Sequence, residues 1–167
     1  MQIRITKQAK DDHIAVTRAD GTVLETRFPK KGPVPHDATH FFAERTLGLG
    51  NGFWGMVAAG HHPEDIADLA KAAGHASASR ARVPDAHIVE LLQAERLVEC
   101  FEAELWSPAV GDDTAAFLET AQVACDCSHV ALPAITPDMV LKVRGEIAQF
   151  AQEWTKAPVG HIVTLEW

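Results

Sequence analysis

A chain of 167 residues, with 47% apolar and 23% charged side chains, has the size and make-up of one globular domain and can bury about 70% of its unfolded surface without disulfide or metal staples. Its formal charge of -8 argues against nucleic acid, which needs a basic footprint, and no apolar run approaches the ~20 residues of a membrane span. Three cysteines, an odd number, and an alternating N-terminus (Met1-Gln2-Ile3-Arg4-Ile5) in place of a signal-peptide core point to reduced thiols and to the cytoplasm.

The first segment reads as β. Ile3 and Ile5 alternate with Arg4 and Thr6, and Ile14 and Val16 alternate with Ala15 and Thr17. Asp20-Gly21 is a hairpin signal, because tight hairpins need positive φ, and Thr22 to Phe28 supplies the return strand. Residues 29–35 hold three prolines and a glycine and form a loop. The small basic spots, Arg27 with Lys30 and Lys31, and Arg80 with Arg82, read as solvated loop charge.

A helix is expected from the loop to about Leu47, stopped by Gly48, Gly50 and Gly52, and a short buried one over Phe53 to Ala59. His62-Pro63-Glu64-Asp65 starts another, which Gly74 ends. Residues 75–84 are small, polar and basic and read as a mobile connection. Asp85 to Trp106 predicts one long amphipathic helix, with Ile88, Leu91, Leu92, Val98, Phe101 and Leu105 inward and Glu90, Arg96, Glu99, Glu102 and Glu104 in solvent. Asp112 or Asp113 caps a helix to about Cys125, and Thr136-Pro137-Asp138 opens one striped by Val140, Val143, Ile147, Phe150 and Trp154.

After Pro158 alternation returns, with Val159, His161, Val163 and Leu165 on one face. A lone strand is unstable, so this one must join the N-terminal sheet. The expectation is a single α+β domain, residues 1–167: a small antiparallel sheet of three N-terminal strands plus the C-terminal strand, packed with five or six helices.

Chemistry-bearing side chains concentrate in Pro35-His36-Asp37-Ala38-Thr39-His40-Phe41-Phe42-Ala43-Glu44. On a helix, His36, His40 and Glu44 form one stripe with Asp37 at its edge. Histidines at i and i+4 can share a zinc ion or a similar divalent metal. HDATH is one methylene short of the HExxH pattern of zinc peptidases, so Asp37 reaches less far as a base. Glu44 is too far along the helix to share the ion easily and is better placed to orient His40. A third ligand must come from elsewhere, with His61 or His62 as candidates, and the positive end of the helix dipole should keep His36 neutral. Another account stays open. If Asp37 is the N-cap, His36 falls outside the helix, and His40 with Glu44 is an ordinary surface pair.

Cys125-Asp126-Cys127-Ser128-His129 would put three ligands on one face if extended, although a single-residue gap between cysteines is unusual for zinc. Gly50-Asn51-Gly52-Phe53-Trp54-Gly55 matches G-x-G-x-x-G but follows a helix, where a dinucleotide fingerprint follows a strand. The run PHDATHFFAE followed by GFWGMVAAG resembles a small bacterial protein family with a PHDxxHxxxE…GFWG signature. The resemblance covers about 30 residues, and since that family has no established activity it implies no role for any residue.

Two functions follow from the residues. One is a metal-binding protein or metal-dependent hydrolase with His36 and His40 as ligands and Asp37 or Glu44 as base or orienting group. The other is a non-catalytic cytoplasmic interaction or structural protein, in which the acidic 85–106 helix and the GFWG segment dock a partner or pack. Neither calls for nucleic acid or membrane, and self-association stays open.

Overall fold

The computed structural model describes residues 1–30, 32–74, 81–106 and 113–167. Strands β1 (Gln2–Lys7), β2 (Asp11–Thr17), β3 (Val23–Pro29) and β4 (Ile162–Glu166) form one antiparallel sheet in the order β3-β2-β1-β4. The described helices are α1 (His36–Leu47), α2 (Phe53–Ala58), α3 (Pro63–Ala72), α4 (Val89–Leu105), α5 (Thr114–Asp126) and α6 (Pro137–Lys156). The fold is α+β, as the alternating and helical periodicities predict.

Register follows from burial. Ile3 pairs with Val16 and Ile5 with Ile14, and all four are fully buried, whereas a one-residue slip would turn them to solvent. Gly21, at φ +83°, makes the β2–β3 turn, and the Asp20 carboxylate accepts the Thr22 N–H within it. β4 closes the other side of β1: Ile3 faces Leu165 and Ile5 faces Val163. Val163 and Leu165 point inward, but the longer alternation predicted from Val159 does not hold, since the strand begins at Ile162 and Val159 is exposed. Lys7 reinforces this seam by donating to the Trp154 and Ala157 carbonyls at the end of α6. Deleting residues 159–167 is therefore expected to open the β1 edge and lower stability by several kcal/mol, measured by denaturant titration. A truncated protein that unfolds at the same midpoint would refute that.

One hydrophobic cluster joins the sheet to the helices, with α1 at its centre between α4 and α6. Two helix expectations need correction. The helix expected from Asp85 begins as a 3-10 turn over Ala86–Ile88, because Ile88, at φ -115° and ψ 7°, leaves helical geometry before Val89. The acidic row of α4 is not all in solvent: Glu104 makes a bidentate pair with Arg144 of α6, and Glu102 turns to α1. Asp113 caps α5 through the Ala116 N–H, while Asp112 lies outside the described residues. So does most of the proposed connection, residues 75–80, together with Arg80 and Lys31 of the basic spots. The remaining cations of the first spot are paired, Lys30 with Asp12 and Arg27 with Asp11.

Candidate metal centre

α1 starts two residues earlier than an Asp37 cap would require. Pro35, extended at ψ 130°, is the N-cap residue, and its carbonyl accepts the Ala38 and Thr39 N–H groups. Asp37 thus lies in the first turn, where an acid suits the dipole, and His36 is inside the helix. His36 and His40 project over the same turn, with ring centroids 4.6 Å apart and planes at 77°.

Each ring is held from behind by a carboxylate. His36 Nδ1 meets Glu102 Oε1 at 2.9 Å, and His40 Nδ1 meets Glu44 Oε1 at 2.8 Å. An ionised carboxylate can only accept, so both Nδ1 atoms are donors. In neutral imidazoles both Nε2 atoms are then bare lone pairs, yet they face each other at 3.2 Å. Two acceptors at that separation need a proton or a metal cation between them. Glu95 of α4 adds a third donor: its Oε2 lies 3.8 Å from His36 Nε2 and 3.6 Å from His40 Nε2.

The three distances decide whether an ion fits. In a triangle with sides of 3.2, 3.6 and 3.8 Å, the point equidistant from the corners is about 2.1 Å from each. Zinc–nitrogen and zinc–oxygen bonds are roughly 2.0–2.2 Å long. Among the described residues, this is the group of three or more His, Cys, Asp or Glu side chains whose ligand atoms converge enough to hold a metal ion.

Glu44 is fully buried and is itself positioned by backbone. Its Oε1 accepts the Phe53 N–H at 3.0 Å and its Oε2 the Trp54 N–H at 2.9 Å, so the carboxylate sits on the N-terminus of α2. This accounts for Gly52 of the G-x-G-x-x-G match, and close backbone packing accounts for Gly55. A Cβ on Gly52 would lie 2.6 Å from Glu44 Cδ, and one on Gly55 would lie 1.8 Å from the Gly50 carbonyl oxygen. The loop cradles the protein's own carboxylate, which occupies the place a phosphate would take. Trp54 ties the same loop to α1 by donating its indole N–H to the Asp37 carbonyl.

Electrostatics at the centre overturn one expectation. At His36 the carboxylates of α4 outweigh the helix end. Burial resists charging the ring, but Glu102 and Glu95 outweigh it and raise the pKa above the ordinary value. Burial opposes charging His40 too, yet the Glu95 charge and the Glu44 bond raise its pKa to about 10. Burial also pushes the Glu44 carboxyl up, offset in part by His40 and the two N–H donors. With three donors converging on one carboxylate, we take the His40–Glu44 pair as ionic in the absence of metal.

The candidate third ligands from sequence lie elsewhere. His62 caps α3, with Nδ1 accepting the Glu64 N–H, and exposed His61 contributes its carbonyl to Arg18. Glu95 takes the place considered for them. Asp37 is buried and lines a cavity of about 140 Å³ together with His36, His40 and Glu95.

Cys125, Cys127 and His129 do not form a ligand face, because the segment is not extended. Cys125 is buried in the last turn of α5, Cys127 is exposed at its C-cap, and His129 adopts φ 55°. The thiols are free, and burial, more than neighbouring acids, pushes Cys100 and Cys125 up to about 11. Alkylation of native protein at pH 8 should label Cys127 rapidly and the other two slowly, with three labels after denaturation without reductant. A Cys125–Cys127 disulfide, or rapid labelling of Cys100, would contradict this.

No protein-family model, no curated protein and no solved structure matches this chain.

Proposed function

We propose that this protein binds a zinc-class divalent cation through His36 Nε2, His40 Nε2 and a Glu95 oxygen, and that it is a metal-dependent hydrolase. One observation carries the reading: two imidazoles, each locked by a carboxylate at Nδ1, direct their remaining lone pairs at one point beside a third carboxylate. Glu102 and Glu44 do what outer partners of metal-binding histidines do, fixing tautomer and ring orientation. Two histidines and one carboxylate leave part of the coordination sphere to water or substrate, as in catalytic rather than structural zinc sites. The ion supplies Lewis acidity and lowers the pKa of water.

Asp37 is the base in this reading. It follows His36 directly and lines the same cavity, whereas both Glu44 oxygens are taken by His40 and α2, which makes Glu44 a positioning residue. The metal reading is favoured over partner docking because the GFWG segment is buried in packing and Glu95, Glu102 and Glu104 of the 85–106 helix turn to other helices.

Calorimetric titration with zinc, followed by elemental analysis after desalting, tests the metal. One equivalent is expected for wild type and none for the His36→Ala, His40→Ala double variant, with affinity for Glu95→Ala lowered by about 10-fold or more. Activated ester and phosphoester substrates test the hydrolase, and Asp37→Asn should keep the metal and lose turnover. No zinc uptake by wild type would dispose of the reading.

A further inference from the structure

The cavity beside the three donors has two unlike walls. One carries His36, His40, Glu95 and Asp37 from α1 and α4. The other carries Phe28 and Pro29 from the end of β3, Phe53 from the first turn of α2, and Ala67 and Ala70 from one face of α3. The two alanines matter because a larger side chain at either would occupy the space. Lys71 is at the outer rim, largely exposed and paired with Asp68, so it does not bring an uncompensated charge to the interior.

Size narrows the ligand. The space is about 140 Å³. An apolar cavity of about 150 Å³ takes one benzene molecule. A nucleotide or two residues of peptide would not fit. Charge narrows it further, since Asp37 and the three carboxylates around the histidines disfavour an anionic group anywhere except against the ion.

From this we infer that the site takes a small molecule with an apolar body about the size of one six-membered ring, seated against Phe28, Phe53, Ala67 and Ala70, and one oxygen-donor group directed at the metal. The inference rests on the metal-site reading and specifies its substrate class. The apolar wall contributes by burial of the ring, and the donor group fixes which end points inward.

The test uses full-length protein loaded with cobalt(II), whose visible spectrum reports a new oxygen donor on the ion. The probes are acetohydroxamate, benzohydroxamate and 2-naphthohydroxamate, which share a donor group and differ in body size. Benzohydroxamate should bind about tenfold or more tightly than acetohydroxamate, from burial of the ring. The naphthyl probe should lose that gain. Ala67→Leu, which fills the cavity from α3 without touching the donor atoms, should erase the phenyl preference while the cobalt spectrum persists. Equal affinity for the methyl and phenyl probes in wild type would overturn the inference, as would a naphthyl probe that binds as tightly as the phenyl one. Either result would leave the metal reading intact. Absence of a protein-bound cobalt spectrum would instead overturn the metal reading, and this inference with it.

Discussion

Replacing Glu44 by alanine is expected to lower stability by about 3–5 kcal/mol, the range for breaking a buried ion pair by removing one partner. The carboxylate accepts from His40 Nδ1, the Phe53 N–H and the Trp54 N–H and is fully shielded from water, so its loss strands three donors together. α2 has six residues and no side-chain cap of its own, and is expected to fray when Glu44 is absent. Glu44→Gln should fall between, because one amide oxygen can still accept while the NH₂ opposes a donor. Gly52→Ala should produce a related defect without altering the acid, since its new Cβ would meet Glu44 Cδ at 2.6 Å and push the carboxylate off the helix end. Denaturant titrations read stability, and zinc calorimetry on the same samples reads the consequence for His40. A Glu44→Ala protein within 1 kcal/mol of wild type would show that the carboxylate neither caps α2 nor holds the ring.

Glu44 also marks how far the sequence could be read. The stripe of His36, His40 and Glu44 was legible because i,i+4 spacing is local geometry, and so were the sheet and its C-terminal strand, whose alternation demands a partner. The carboxylate that completes the candidate metal group was not, because it comes from a helix about fifty residues away and local periodicity says nothing about which helices meet. A signal was nonetheless present. Glu95 falls four residues after Leu91 and three before Val98, in the middle of the apolar stripe of α4, and Glu102 continues the same row. A carboxylate on a core-facing stripe needs a partner of opposite charge or a metal. Of the two, Glu102 reads from composition as part of the solvated row, but its place on the helical wheel sets it against α1. The choice of cap depends on the preceding loop. Asp37 has the stronger intrinsic preference, but Pro35 already terminates the extended loop, and its carbonyl receives two N–H groups of the first turn. The glycine pattern follows a helix and not a strand, and the purpose of Gly52, to admit an acid from another helix, depends on tertiary contact.

Zinc should stabilise the protein more as pH rises from 7 to 9, and the metal-free protein should lose stability over the same interval. The sign follows from His40, whose pKa in the folded, metal-free state is raised from 6.5 to about 10. A group with a raised folded-state pKa contributes stability that is fully present below its unfolded value and is lost as pH climbs through the folded one. The charged groups facing the ring all act in this direction except one: Glu44 and Glu95 favour the imidazolium, Glu102 acts through His36, and His36 itself opposes it. Metal and proton compete for the same Nε2 lone pairs, so binding must expel the proton that bridges them. This moves the window upward from the pH 6 limit expected of ordinary histidines, since the carboxylates that assemble the site also make its proton harder to displace. Melting temperatures of metal-free and zinc-loaded protein at several pH values should therefore diverge with rising pH. Calorimetry in two buffers of different ionisation enthalpy should find about one proton released per zinc at pH 7.5. In the His36→Ala, His40→Ala double variant the zinc effect should vanish and the alkaline loss of stability should flatten. Zinc stabilisation that is constant between pH 7 and 9, with no proton released, would mean that the two imidazoles are neutral in the metal-free protein and that the carboxylates around them do not act as described.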